Sequence, residues 1–374
     1  MINIVKEQSP HLRRHQSVTR MMADVLIALL PVVIFSIVVH TWRAVVILAI
    51  SLAVMIISEF VYFGIKNKMV YDGTKHPFKE KFKYAYSKYS INNILAPAVS
   101  AVIFAMILPA SVADRPYVVV VGALAGIILG KLVFGGLGSN IFNPAAVGLV
   151  VAKISFGSAF TYTADPFYDV NLGGTILTSI SEKGVLQVTS PNNNILGLFL
   201  GTCPGALGEV SALCILVGAA YLLIRRSADF RPMIAYIGTF LVLMLVSGLC
   251  IGSKVGFDNN FYGKFVLTEL LSGGLFFGAV FMITDPVTSP INRPGRYIYG
   301  MLAGVFTVLI RLFAAIPEGV VFSILLVNML APVIDYYKWS GNKFTPKKLI
   351  WMGSILLIGI ITVVIVLLSP GVVK

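Results

Sequence analysis

GALAGIILGKLVFGGLGSNIFNPAAVG, residues 122–148, decides the fold. It opens as a helix of small and apolar residues. Three glycines then crowd together (Gly135, Gly136, Gly138), and Asn143-Pro144 follows. Proline has no backbone N–H, and the residue before it resists the α region, so a break in the helix is expected here. Unwound backbone at membrane depth persists only where it is buried in protein or faces a polar cavity. LLSGGLFFGAVFMITDPVTSP, residues 270–290, has the same make-up, a Gly-rich apolar run ending at Asp285-Pro286. Close packing of small residues would explain the glycine spacing but not the two X–Pro steps. Paired breaks in two halves point to a central site and a candidate internal repeat.

Outward from these stretches the chain is apolar almost throughout. Of its 374 residues 57% are hydrophobic and 12% charged, against roughly 25% charged in soluble domains. Apolar runs fall near 22–40, 43–65, 93–109, 117–134, 141–156, 208–224, 231–252, 266–284, 296–315, 318–337 and 348–369. The expected fold class is an all-α integral membrane protein of about 10–11 transmembrane helices, two of them broken at proline. Residues 1–21 read as a polar N-terminal arm rather than a signal peptide, and 22–374 as one membrane domain.

The net charge of +13 is placed by topology. With the N-terminus in the cytoplasm, most Lys and Arg fall inside, above all in the loop 66–92 with Lys66, Lys68, Lys75, Lys79, Lys81, Lys83 and Lys88. That accounts for the basic excess without nucleic acid. The loop 66–92 reads either as solvated chain near anionic lipid or as a surface for a partner protein. The loop 157–194, rich in Gly, Thr, Asp and Asn, falls outside. Trp42, Trp339 and Trp351 stand at span ends, where amphipathic rings settle. Cys203, Cys214 and Cys250 lack metal-ligand spacing and read as packing residues.

Glu59, Lys131, Glu269 and Arg311 fall within apolar runs, where an ionisable group needs a partner or water. Glu59 lies near a span end and Arg311 suits a structural pairing. Lys131 and Glu269 lie nearer the breaks and are assigned to a candidate ion path. These features also describe a secondary transporter with a midplane site, or a structural scaffold.

Five stretches carry a resemblance across essentially the whole chain: SPHLRRHQSVTRMMADVLIALLP (9–31), GGLGSNIFNPAAVG (135–148), GTCPGALGEVSAL (201–213), LLSGGLFFGAVFMITDPVTSP (270–290) and RPGRYIYGMLAGVFTVLIR (293–311). The chain resembles the D subunit of the Rnf complex, the ion-translocating ferredoxin:NAD oxidoreductase. It is similar, less closely, to the B subunit of the sodium-translocating NADH:quinone reductase. The resemblance implies a component of a translocase-type oxidoreductase in a prokaryotic cytoplasmic membrane, coupling electron transfer to Na⁺ or H⁺ movement. Its partners would be the membrane and peripheral subunits that carry flavin and iron–sulfur centres. It implies FMN joined through its phosphate to a threonine hydroxyl. Thr175 occupies that position in Asp169-Val-Asn-Leu-Gly-Gly-Thr175-Ile-Leu177, where Leu172 and Gly174 depart from the family pattern. Asp169, Gly173 and Gly174 complete the attachment stretch, the glycines leaving the hydroxyl on pliable backbone. Asn143 and Asp285 are expected to contact flavin in the membrane. Lys131 and Glu269 would serve flavin placement or cation passage, and the resemblance allows a second, non-covalent flavin such as riboflavin.

Overall fold

The computed structural model describes residues 17–70, 78–161, 177, 180, 188, 194–201, 205–209, 211–255, 261–314, 319–336 and 341–369. Among the described residues the regular structure is helical. In chain order the helices are α1 (Val18–His40), α2 (Trp42–Val70), α3 (Phe78–Ala85), α4 (Asn92–Met106), α5 (Pro116–Ile127), α6 (Pro144–Ser155) and α7 (Ile195–Leu200). There follow α8 (Ala212–Arg225), α9 (Phe230–Val255), α10 (Phe261–Leu271), α11 (Leu275–Phe277), α12 (Arg293–Phe313), α13 (Gly319–Ile334) and α14 (Pro346–Leu368).

Apart from α3 and α7 these helices coincide with the apolar runs, but they are of two kinds. Five are long and apolar enough to cross a bilayer alone, namely α1, α2, α9, α12 and α14. Helix α10 continues past a 47° bend into 275–282, and that pair counts as a sixth where it is taken as one broken span. The other five apolar helices (α4, α5 with its continuation, α6, α8, α13) have 10–17 residues. At about 1.5 Å per residue they fall short of a hydrocarbon layer roughly 30 Å thick. Such half-length pieces leave helix ends inside the protein, where every freed N–H and C=O needs a partner.

One boundary differs from the sequence expectation. Helix α1 begins at Val18, because the Ser17 hydroxyl accepts the Arg20 N–H and caps it, so the first span takes in the last residues assigned to the arm. The short run at 195–200 is a helix of six residues between the Asn194 cap and a left-handed Gly201.

In the first half α2 packs on α4 and α5, and α5 lies along α6. Gly126 and Gly130 permit that last approach. A Cβ at Gly130 would lie 2.8 Å from Pro144 Cα, and one at Gly126 2.6 Å from the Pro144 carbonyl oxygen. In the second half α9 packs on α12, and α12 on α13. The halves join where α1 meets α8 and where α6 meets α13.

A central cavity between two helix breaks

Each half builds its break from similar parts. In the first, α5 widens into a π-helical turn at Ile128–Leu132. The chain then turns through Gly135, Gly136 and Gly138, all at positive φ, until Asn143 caps α6. The Asn143 side chain accepts the Ala145 and Ala146 N–H groups at 3.0 and 3.4 Å. Pro144 therefore opens a helix, at the position where its missing N–H is not needed. In the second half α10 bends at Gly273-Gly274, both at φ +66°, and the chain runs through α11 into a π-helical turn at Gly278–Met282. Asp285-Pro286 lies in the turn that follows. The Asp285 side chain accepts the Val287 N–H at 3.1 Å and the Thr288 hydroxyl at 3.3 Å. Asn292 then caps α12 through the Gly295 N–H at 2.6 Å. The second helix thus bends at glycine rather than at proline, because glycine adopts positive φ without steric cost.

The two breaks enclose a cavity of about 120 Å³. Lys131, Asn140, Asn143 and Pro144 line it from the first half, and Phe281, Thr284, Asp285 and Pro286 from the second. Met21, Met22 and Val25 of α1, Ser100 of α4 and Ser227 add to the wall. Lys131, Asn143 and Asp285, singled out separately from sequence, are thus brought to one place. The Lys131 ammonium, 3% exposed, lies 3.0 Å from the Glu59 carboxylate of α2. Glu59, near a span end in sequence, is therefore a buried partner and does not reach out to water. The pairing offsets the cost of holding either charge away from water.

A further residue stitches the breaks together. Asn328 of α13 is fully buried. With its amide oriented to satisfy its neighbours, its nitrogen donates to the Tyr299 hydroxyl and the Ile324 carbonyl, and its oxygen accepts the Asn143 backbone N–H at 3.0 Å. The donor exposed by the first break is thereby satisfied from the second half.

Glu269 does not line this cavity. It is buried beside Arg311, whose guanidinium donates to the Glu269 carbonyl at 2.6 Å and to the Ser272 and Gly273 carbonyls at 3.0 Å each. The Glu269 carboxylate is 3.4 Å away, and the Phe240 ring faces the guanidinium at 5.0 Å. Arg311 caps the end of α10 where the bend strands its carbonyls. The two residues assigned to an ion path, Lys131 and Glu269, thus sit in separate ion pairs.

Asp24 was not among the charges singled out from the sequence. It is buried in α1 and accepts from the Tyr221 hydroxyl at 3.2 Å, the Ser227 hydroxyl at 2.5 Å, and Arg225 Nε and Nη2 at 3.3 and 3.2 Å. An acid inside the first apolar run was the available signal. Thr175, Asp169, Gly173 and Gly174 lie outside the described residues. Leu177 is buried, and its side chain fills the space beside Gly273 next to Arg311.

Apolar helices of full and half length, with unwound ends around a polar cavity, define a polytopic membrane protein with discontinuous helices. Within that class the chain belongs to the NQR2, RnfD, RnfE family, whose profile matches residues 5–342. It is 30% identical over 346 residues to the D subunit of the proton-translocating ferredoxin:NAD(+) oxidoreductase complex of Clostridium ljungdahlii, covering 88% of this chain and 92% of that one. It is 38% identical over 251 residues to the B subunit of the Na(+)-translocating NADH-quinone reductase of Chromohalobacter salexigens, covering 65% of this chain and 58% of the relative. The chain thus spans somewhat over half the length of that second protein.

Proposed function

We propose that this chain is the flavin-carrying membrane component of an Rnf-type complex that couples ferredoxin and NAD redox chemistry to Na⁺ or H⁺ transport. The observation that carries the reading is the match to the clostridial relative along nearly the full length of both chains. Activity belongs to the whole complex, with flavin- and iron–sulfur-carrying subunits as partners, in a prokaryotic cytoplasmic membrane with the N-terminus inside.

In this reading FMN is esterified through its phosphate to the Thr175 hydroxyl, and bound flavin supplies the one- and two-electron chemistry. Leu177, two residues on, is itself buried against Gly273, which supports an attachment near the second break. At about 120 Å³ the central cavity is smaller than the roughly 300 Å³ of a small-molecule pocket, so a second, non-covalent flavin such as riboflavin would enter only with its walls moved apart. Asn140, Asn143, Thr284 and Asp285 offer donors and acceptors, while Phe281 and Met22 offer apolar faces. There Lys131 would hold positive charge beside the ring or the passing cation, and Glu59 would keep that charge in place.

Flavin fluorescence of the denatured chain tests the covalent site. Wild type fluoresces in the gel, and digestion yields a flavin-bearing peptide containing residues 169–178. Thr175→Ala removes the ester oxygen and abolishes the signal while the spans still insert. Fluorescence surviving that substitution sinks the assignment, and a chain without any flavin returns the transporter reading. For the cavity, Asp285→Ala is expected to slow electron transfer more than it lowers the amount of assembled complex. A variant that fails to accumulate would make Asp285 structural.

A further inference from the structure

Helix α2 is longer than a bilayer needs, and its excess length locates a surface. Trp42 opens it, 56% exposed, with the Arg43 guanidinium over its ring. An exposed Trp at a span end marks a membrane interface. From Trp42, residues 60–63 lie about 27–32 Å along the helix, where the opposite interface falls. That level carries a built platform. The Tyr86 ring stacks on Phe60 with centroids 4.4 Å apart, and its hydroxyl donates to the Phe60 carbonyl at 3.0 Å. Tyr89 meets Phe63 edge-on at 5.1 Å, and Phe82 packs on Tyr86 at 4.5 Å. Gly64 makes the seat, since a Cβ there would collide with the Tyr86 hydroxyl. Asn67 fixes the far end by donating to the Ala85 carbonyl at 2.8 Å.

Helix α3 and the turn after it are thereby held against α2 at headgroup depth. Phe82 and Tyr84 are about half exposed, and Lys66, Lys83 and Lys88 are exposed beside them. Aromatic rings next to ammonium groups at that depth match the acyl and phosphate layers of a leaflet. We infer that α3 with residues 86–89 is an interfacial element that binds an anionic phospholipid. Lys83 and Lys88 contact its phosphate, and Phe82 and Tyr84 lie along its acyl chains. This assignment is independent of the flavin chemistry proposed above.

The full-length chain in neutral detergent tests it, with phosphatidylglycerol and phosphatidylcholine added in competition and retained lipid counted by native mass spectrometry. Wild type retains phosphatidylglycerol in preference, and Lys83→Gln with Lys88→Gln lowers that preference about tenfold. Gln rather than Glu leaves the remaining lysines to hold the topology. Gly64→Val, which unseats Tyr86 but keeps both lysines, also lowers it. Equal retention of both lipids by wild type overturns the inference. So does an undiminished preference in the double variant. If that variant keeps its lipid but releases a companion protein from the purified complex, the surface belongs to a protein partner instead.

Discussion

The first and second breaks use the same backbone device and finish it with different chemistry. Each has a five-residue π turn, a loop, and a helix opened by an Asn cap close to a proline. Around the first, small residues let backbones touch, and the charge is a side-chain ion pair, Lys131 with Glu59. Around the second, a buried guanidinium takes up stranded carbonyls, and the carboxylate beside it is secondary. Arg suits the second site because its fork reaches several acceptors at once, whereas an ammonium on a single stem suits a point pairing. A charge spent on backbone carbonyls is committed to the fold. A charge spent on one carboxylate at a cavity wall remains open to exchange.

That contrast can be broken experimentally. The largest effect is expected for Arg311→Leu, which strands three carbonyls and leaves Glu269 buried without its partner. It should cost more than about 5 kcal/mol, so little folded chain should accumulate in membranes, and Arg311→Lys should recover part of it. Lys131→Met comes next, at about 3–5 kcal/mol in thermal unfolding of the purified chain. Adding Glu59→Gln should recover part of that loss by removing the stranded carboxylate, while Asp285, which also feels the Lys131 charge, keeps the recovery incomplete. A double variant no more stable than Lys131→Met alone would show that Lys131 has other essential partners. Gly130→Val forces a side chain against Pro144, and about 1–3 kcal/mol of destabilisation is expected from the same melt. The caps give the smallest effects. Asn143→Ala should cost about 1 kcal/mol. Asn292→Ala should cost somewhat more, since Asn292 also donates to the Asp335 carboxylate at 2.6 Å.

Much of this architecture is legible in the residues. The long apolar runs gave α1, α2, α9 and α14 within a few positions, because an uninterrupted hydrophobic stretch has one favourable arrangement in lipid. The breaks were legible as places, through Asn143-Pro144 and Asp285-Pro286. Their mechanism was not. Gly273-Gly274 bends the second helix, and neither π turn has a composition that distinguishes it from an α turn. Intramembrane charges announced themselves, but their partners did not. Lys131 meets Glu59 and Arg311 meets Glu269 across long stretches of chain, and such pairings are set by packing rather than spacing. Asn328 reads as one more polar residue in an apolar helix. Its role emerges only when the Asn143 N–H is seen to need an acceptor.

Asn328 also bears on how the molecule can move. A rocking transporter rotates one half of its bundle as a rigid body around a fixed site. Here such a rotation would pull the Asn143 N–H away from an amide that is itself held by Tyr299 and Ile324. Buried polar groups parted in that way cost about 1–3 kcal/mol each. Turning an apolar side chain within the cavity parts no such bond. Asn328 thus staples the centre, and the smallest change there falls to an apolar side chain such as Phe281, since turning Lys131 would part its ion pair with Glu59.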